Sequence, residues 1–163
     1  EEALAHETES IKRLNVLLYY ALPIREGEEQ FLTLLLPMIF SENGRALHAR
    51  YVKALDDTFL PRLRAVLAQA CAEGIVHLYH PQHTADILMA LLNQCWLDAA
   101  KYMTDMLFQG GAADPVELME ILQAYRFAME RILDAPYGSL ELMRLPELAQ
   151  TVSRVMTEMR LMR

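Results

Sequence analysis

Apolar residues recur along most of the chain with the three- and four-residue spacing of amphipathic helices. Alternating apolar and polar positions, which would indicate strands, do not extend over any comparable length. Glycine and proline fall mainly between the apolar runs, where they end one helix and begin the next. The pattern predicts an all-α fold, an antiparallel bundle of about six to seven helices. We expect these helices to form one domain that spans residues 1–163.

The breaks between the predicted helices have local causes. Pro23 should close the second helix, because proline cannot donate a backbone hydrogen bond. Pro37 should kink the third helix, and Pro61 should bend the long fourth one. Gly74 is expected to adopt the left-handed conformation that ends a helix. The predicted helices cover residues 1–10 (the end of a linker helix), 11–22, 28–40, 45–72, 84–108, 114–134 and 146–162, the last within an extra C-terminal segment, 137–163.

The start of the helix at 114–134 carries a nearly complete capping signal. Asp114 precedes Pro115, and Glu117 follows Asp114 by three residues. An aspartate oxygen accepts from the free N–H groups of the first turn, and proline at the first position has no N–H to satisfy. We therefore predict a capping box in which Asp114 and Glu117 take part.

The two helices at 84–108 and 114–134 carry apolar residues around more than one face. A helix of this kind must be covered on more than one side, and in a small chain the second cover is expected to be another subunit. We therefore expect a homodimer. The candidate interface residues are Tyr102, Met106, Met119, Leu122, Tyr125 and Met129.

The composition is that of a globular domain, with 53% apolar and 23% charged residues. Because 15 Lys and Arg stand against 22 Asp and Glu, the net charge is -7, which disfavours contact with a phosphate backbone. Cys71 and Cys95 form no CxxC pair and lie in predicted helices, which favours a reducing compartment. The sequence contains neither a secretory leader nor a membrane-spanning run, so we expect a cytoplasmic domain. It does not begin with methionine, which suggests a fragment or processed product.

No pattern of residues predicts catalysis or a cofactor. His77, His80 and His83 recur every three residues, but they straddle a turn and Pro81, so we interpret them as loop and cap residues instead of metal ligands. Glu-x-x-His pairs, glycine-rich phosphate loops, GxSxG and HExxH are all missing. We therefore expect a protein that is not an enzyme and that holds neither a metal nor another cofactor.

The order and spacing of the helices resemble the C-terminal ligand-binding half of TetR-family transcription regulators. The likeness is carried by residues 59–63 (FLPRL), 72–76 (AEGIV), 80–81 (HP) and 84–88 (TADIL), which match that family's long seventh helix, the following turn and the start of its eighth helix. It extends over roughly residues 11–134. In that family the eighth and ninth helices of two subunits pack as a four-helix interface, and a DNA-binding helix-turn-helix headpiece precedes the region matched here.

The resemblance implies a sensing and dimerisation domain whose headpiece is missing from this chain. A small, mostly apolar effector would bind among the helices and control DNA binding, and hence transcription, whether as repressor or activator. A helical protein-interaction module, or a small-molecule-binding or transport domain without a DNA role, remains an alternative. The candidate pocket residues are Phe31, Leu35, Met38, His48, Tyr51, Leu55, Leu92, Asn93 and Trp96.

Overall fold

A computed structural model of the chain describes residues 9–162. This part of the chain contains helices and turns but no strand, which confirms the predicted all-α class. The linker helix predicted at 1–10 lies, except for its last two residues, outside the described residues. The six helices are α1 (Glu9–Ala21), α2 (Glu29–Leu35), α3 (Glu42–Ala72), α4 (Pro81–Phe108), α5 (Pro115–Leu133) and α6 (Leu145–Leu161).

The helices pack in a continuous series. α1 lies on α3, α3 on α4, α4 on α5, α5 on α6, and α6 on α2. Helix α4 is therefore central, and one wall of it is buried along nearly its whole length, including Trp96 at 1% exposure. Within residues 9–162, no helix combines the length and the apolar character needed to cross a membrane.

Local sequence signals set most of the helix ends. Gly74 has a φ of 72° directly after the cap of α3, as predicted. Pro81 and Pro115 occupy the first turns of α4 and α5, and Asp114 Oδ1 accepts a hydrogen bond from Val116 N. Tyr102 takes the place predicted for Glu117 in the capping box: its hydroxyl accepts from Asp114 N (2.9 Å) and donates to Glu117 (2.8 Å).

The predicted helix at 28–40 is shorter than expected. Helix α2 ends at Leu35, and residues 36–40 form turns in which Met38 N and Ile39 N both donate to Leu35 O. Pro37 has no N–H to continue the ladder, and its ring clashes with the preceding turn. The proline therefore ends this helix instead of kinking it, whereas α3 continues through Pro61.

Helix α3 begins three residues earlier than predicted because Ser41 caps it. Ser41 Oγ accepts from Gly44 N at 3.1 Å. The backbone of the preceding turn lies so close that a Cβ on Gly44 would stand 1.6 Å from Met38 O. Because glycine has no Cβ, it allows the two backbone segments to approach this closely. From the sequence pattern, Gly44 had been interpreted only as part of a break between two helices.

The loop between α5 and α6 is held by buried polar contacts. Arg126 and Glu130 form an ion pair at 2.7 Å with side-chain exposures of 11% and 1%, and Leu140 N donates to Glu130 Oε1 at 3.0 Å. Asn15 of α1 joins the same loop, because its amide nitrogen donates to Ser139 O and its amide oxygen accepts from Glu141 N, both at 3.0 Å. The loop is thus tied to α5 on one side and to α1 on the other.

Candidate functional site

A cavity of about 520 Å³ lies between α1, the start of α2 and the first half of α3. Its volume is within the range of about 300–1,000 Å³ typical of small-molecule sites. Most of its lining is apolar or aromatic. The lining residues are Val16, Leu17, Tyr20, Pro23, Arg25, Glu28, Phe31, Tyr51, Leu55, Phe59 and Arg62.

The cavity exists because the first half of α3 is only partly covered. The fully buried side chains of α3 are Leu63, Leu67 and Ala70, all in its second half, where α3 packs closely within the bundle. Before Leu63, the inward face is half-buried, as at Tyr51, Leu55 and Phe59. These three residues follow one another at four-residue spacing, so they form a single stripe along the cavity wall.

Aromatic rings dominate the end of the cavity next to α2. Phe31 and Tyr51 lie 5.4 Å apart between ring centroids, within the range of favourable aromatic contacts. Burial raises the pKa of Tyr51 to about 12. Its hydroxyl therefore stays neutral at physiological pH and can both donate and accept a hydrogen bond.

Arg25 and Glu28 form a closed structural unit at the same end. Arg25 donates to Glu28 at 2.6 Å, to Tyr20 O at 2.8 Å and to Leu22 O at 3.2 Å. Its guanidinium also lies 5.1 Å from the centre of the Tyr20 ring. These contacts neutralise both charges and fix the turn between α1 and α2.

The predicted pocket residues fall into three groups. Phe31, Tyr51 and Leu55 line the cavity together. Met38 is 37% exposed on the turn after α2, and Asn93 is half-buried on α4. His48 is half-buried on α3, and its ring centroid lies 6.3 Å from that of Tyr51, although His48 does not itself line the cavity. Leu35, Leu92 and Trp96 are buried in the core at 2%, 2% and 1% exposure.

Two residues of that predicted set carry buried polar atoms without a partner. His48 Nε2 and Trp96 Nε1 are both buried, and neither makes a hydrogen bond within the described residues. Such an atom costs about 1–3 kcal/mol relative to a satisfied one. Burial also lowers the pKa of His48, which favours its neutral form.

The cavity includes residues that the sequence analysis did not select, chiefly from α1. Val16 and Tyr20 are 55% and 51% exposed, and Leu17 is half-buried, so these three form one side of the opening. Leu14 and Leu18, the apolar residues on either side of Leu17 along α1, are instead buried at 1%.

The predicted interface residues on α4 and α5 are likewise divided. Leu122 and Met129 are buried within this chain, at 1% and 0% exposure. Tyr102, Met106, Met119 and Tyr125 are half-buried, and two of these bond to residues of this chain: Tyr102 to Glu117, and Tyr125 to Asp98. Most of the predicted interface side chains are therefore already buried or hydrogen-bonded within their own subunit.

One stripe of α5, which shares only Tyr125 with the predicted set, remains partly accessible. Ile121, Tyr125 and Ala128 are half-buried, and Ile132 is 39% exposed, at a spacing that places all four along one face of the helix. We call this set the α5 stripe. Sequence periodicity does not distinguish the two apolar faces of α5, because both repeat every three to four residues.

His80 and Cys95 occupy structural positions in α4 and at its start. His80 caps α4 through Nδ1, which accepts from His83 N at 3.3 Å. Residues 9–162 contain no group of three or more His, Cys, Asp or Glu side chains arranged to hold a metal ion. Cys95 is fully buried in α4, and burial raises the pKa of its thiol to about 12.

The chain was compared with protein-family models, with curated proteins and with solved structures, and none of the three comparisons gave a significant match.

Proposed function

We propose that the chain binds a small, mostly apolar molecule in the cavity between α1 and α3 and acts as the sensing and dimerisation domain of a TetR-like regulator. The cavity is the observation that carries the proposal. An open cavity of about 520 Å³ whose walls are mostly apolar and aromatic has the size and lining typical of small-molecule sites. The regulatory part of the proposal rests on the sequence resemblance alone.

The loose covering of α3 supports a sensing role. A ligand shifts a conformational equilibrium only if it binds one arrangement better than another. The half-buried stripe of Tyr51, Leu55 and Phe59 gains apolar contacts when the cavity is filled, whereas the buried second half of α3 has little left to gain. Filling the cavity would therefore favour the arrangement in which the first half of α3 packs against a ligand.

Dimerisation would use the α5 stripe. Its apolar side chains border α4, where Leu91 is half-buried and Ile87 is 49% exposed. A second copy related by a two-fold axis would bring the same surface against itself, which is the usual geometry of homodimers. This refines the interface expected from the sequence, since Leu122 and Met129 are already used inside the subunit.

The cavity is tested with Nile red, an uncharged apolar dye whose fluorescence rises on transfer from water. Leu55→Trp adds a large side chain to the cavity wall, and Leu47→Trp makes the same change at a position on α3 that is 44% exposed. We expect saturable binding to the unmodified chain, loss of binding in Leu55→Trp and retention in Leu47→Trp. Non-saturable binding, or equal binding by all three proteins, would overturn the assignment.

The dimer is tested separately by light scattering across a range of protein concentrations. Ala128→Arg places a charge in the α5 stripe, and Val116→Arg places one at an exposed position near the start of the same helix. We expect a dimer that only Ala128→Arg dissociates. A monomer at every concentration would favour the helical interaction module, and dissociation by Val116→Arg alone would place the interface elsewhere.

A further inference from the structure

The charges around the cavity are not balanced. Three charged side chains line it: Arg25, Glu28 and Arg62. Arg25 and Glu28 neutralise each other through their ion pair at 2.6 Å, and Nη1 of Arg25 also donates to two backbone carbonyls. The charge that remains is the guanidinium of Arg62.

Arg62 has no carboxylate partner among residues 9–162. The ion pairs of α3 join Lys53 to Asp57 and Arg64 to Asp86, and neither involves Arg62. A guanidinium keeps its positive charge at every physiological pH and presents a planar set of donors that matches a carboxylate.

The position of Arg62 gives the cavity two unlike ends. Arg62 lies one turn beyond Phe59 on the stripe that begins at Tyr51. At 1.5 Å per residue, the distance along α3 from Tyr51 to Arg62 is about 16 Å. The aromatic end at Phe31 and Tyr51 is electrically neutral, and the far end carries a cation.

A second groove continues past Arg62 between α1 and α3. Val16, Leu17 and Arg62 line both spaces, and Val66 extends the apolar wall by a further turn. Glu9 also borders this groove, but its carboxylate is paired with Arg13 at 3.2 Å. Positive charge from Arg62 is thus left uncompensated where the two spaces meet.

We infer that the ligand is a monoanionic amphiphile, with a carboxylate bound by Arg62 and an apolar chain along Phe59, Leu55 and Tyr51. This inference rests on the proposed function, since it needs the cavity to bind a ligand at all. An apolar body with one acidic group satisfies both the uncharged walls and the unpaired cation. A cationic amphiphile would add like charge beside Arg62, and a neutral one would make no ionic contact with the guanidinium.

The test uses three ligands with the same ten-carbon chain: decanoate, decanol and decyltrimethylammonium. Each is titrated below its micelle concentration into the full chain by displacement of Nile red. Ion pairs in contact with water contribute about 0–1 kcal/mol, and Arg62 is exposed, so we expect decanoate to bind up to about fivefold more tightly than decanol. Decyltrimethylammonium should bind most weakly.

Two arginine variants assign the effect to one side chain. Arg62→Gln should weaken decanoate binding by the same factor of up to about five and leave decanol binding unchanged, because only the ionic contact is removed. Arg50→Gln, which removes an exposed arginine of the same helix that does not line the cavity, is the control and should change neither ligand. Arg62→Lys should restore part of the preference for decanoate, since lysine keeps the charge but loses the planar donor pair.

Chain length gives an independent measure. Each methylene buried in an apolar cavity contributes about 0.8 kcal/mol, so octanoate should bind roughly fifteenfold more weakly than decanoate. Equal affinity for decanoate, decanol and the ammonium compound would overturn the ligand class while the cavity remains a binding site. Failure of all three ligands and of Nile red to bind would instead overturn the proposed function itself.

Discussion

The buried ion pair of α5 tests how strongly burial changes the contribution of an ion pair to the free energy of unfolding. Arg126 and Glu130 are four residues apart and 2.7 Å from each other, and so are Lys53 and Asp57 on α3. The side chains of the first pair are 11% and 1% exposed, and those of the second are 75% and 65% exposed. The two pairs therefore share spacing and distance but differ in their access to water.

Removing the cation from each pair should have very different costs. Arg126→Met leaves the Glu130 carboxylate buried, with the N–H of Leu140 as its remaining donor. Breaking a buried pair in this way costs about 3–5 kcal/mol. Lys53→Met leaves a carboxylate in water, and exposed pairs contribute only about 0–1 kcal/mol.

A second substitution isolates the contribution of the buried charge. Glu130→Gln removes the charge but keeps an amide oxygen that can accept from Leu140 N. The double variant Arg126→Met/Glu130→Gln should therefore recover about 2 kcal/mol of the loss caused by Arg126→Met alone.

Urea denaturation followed by far-ultraviolet circular dichroism measures these differences, provided that the slope against urea is unchanged among the variants. Two outcomes would refute the reasoning. One is a cost for Arg126→Met no greater than that for Lys53→Met. The other is strict additivity of the Arg126 and Glu130 substitutions.

Three further predictions concern single residues. Gly44→Ala should lower the free energy of unfolding by about 1–3 kcal/mol, because the new Cβ would meet Met38 O and force the turn before α3 to shift; thermal denaturation measures it. Asp134, the C-cap of α5, has a φ of 51°, so Asp134→Gly should stabilise the fold by up to about 1 kcal/mol, or roughly 2–4 °C in Tm. Burial lowers the pKa of His48 from its ordinary value of 6.5, so the unfolded chain binds a proton at this site more readily than the folded chain. This group therefore leaves the free energy of unfolding constant above about pH 6.5 and lowers it as the pH falls from there toward the lower pKa of the folded state. Urea denaturation at both ends of this pH range should show a smaller decrease for His48→Gln than for the unmodified chain.

Each of these predictions has its own control. Gly111→Ala would place a Cβ 3.5 Å from its nearest neighbour, an ordinary contact, so a loss equal to that of Gly44→Ala would contradict the steric explanation. Asp134→Val should destabilise, because a β-branched residue tolerates positive φ poorly. Identical pH dependence in the unmodified chain and in His48→Gln would show that His48 has no part in the acid response.

Local chemistry made much of the fold predictable. Gly74, Pro81 and Asp114 act on their own turns, so their roles follow from neighbouring residues alone. The end of α2 at Leu35 was missed because Pro37 stops the helix instead of kinking it. The early start of α3 was missed because it depends on the Ser41 cap and on the close approach to Gly44, which spacing does not reveal.

The candidate site was harder to predict than the helices. Tyr51 and Leu55 were selected because large apolar side chains line pockets, but Leu92 and Trp96 fit that rule equally well and are buried in the core. Arg62 was not selected, because an arginine on an exposed face of a helix has no distinguishing pattern. Its importance depends on where other charges are paired, which only the folded chain determines.

The hydrogen bonds of Asn15 make the two walls of the cavity mechanically unequal. Asn15 precedes Val16 and Leu17 on the α1 wall and is clamped to the 139–141 loop at two points. That wall cannot swing outward without breaking both bonds, whereas the segment 42–60 of α3 holds no large side chain fully buried. A bulky occupant would therefore widen the cavity by displacing the partly covered part of α3 and leave α1 in place.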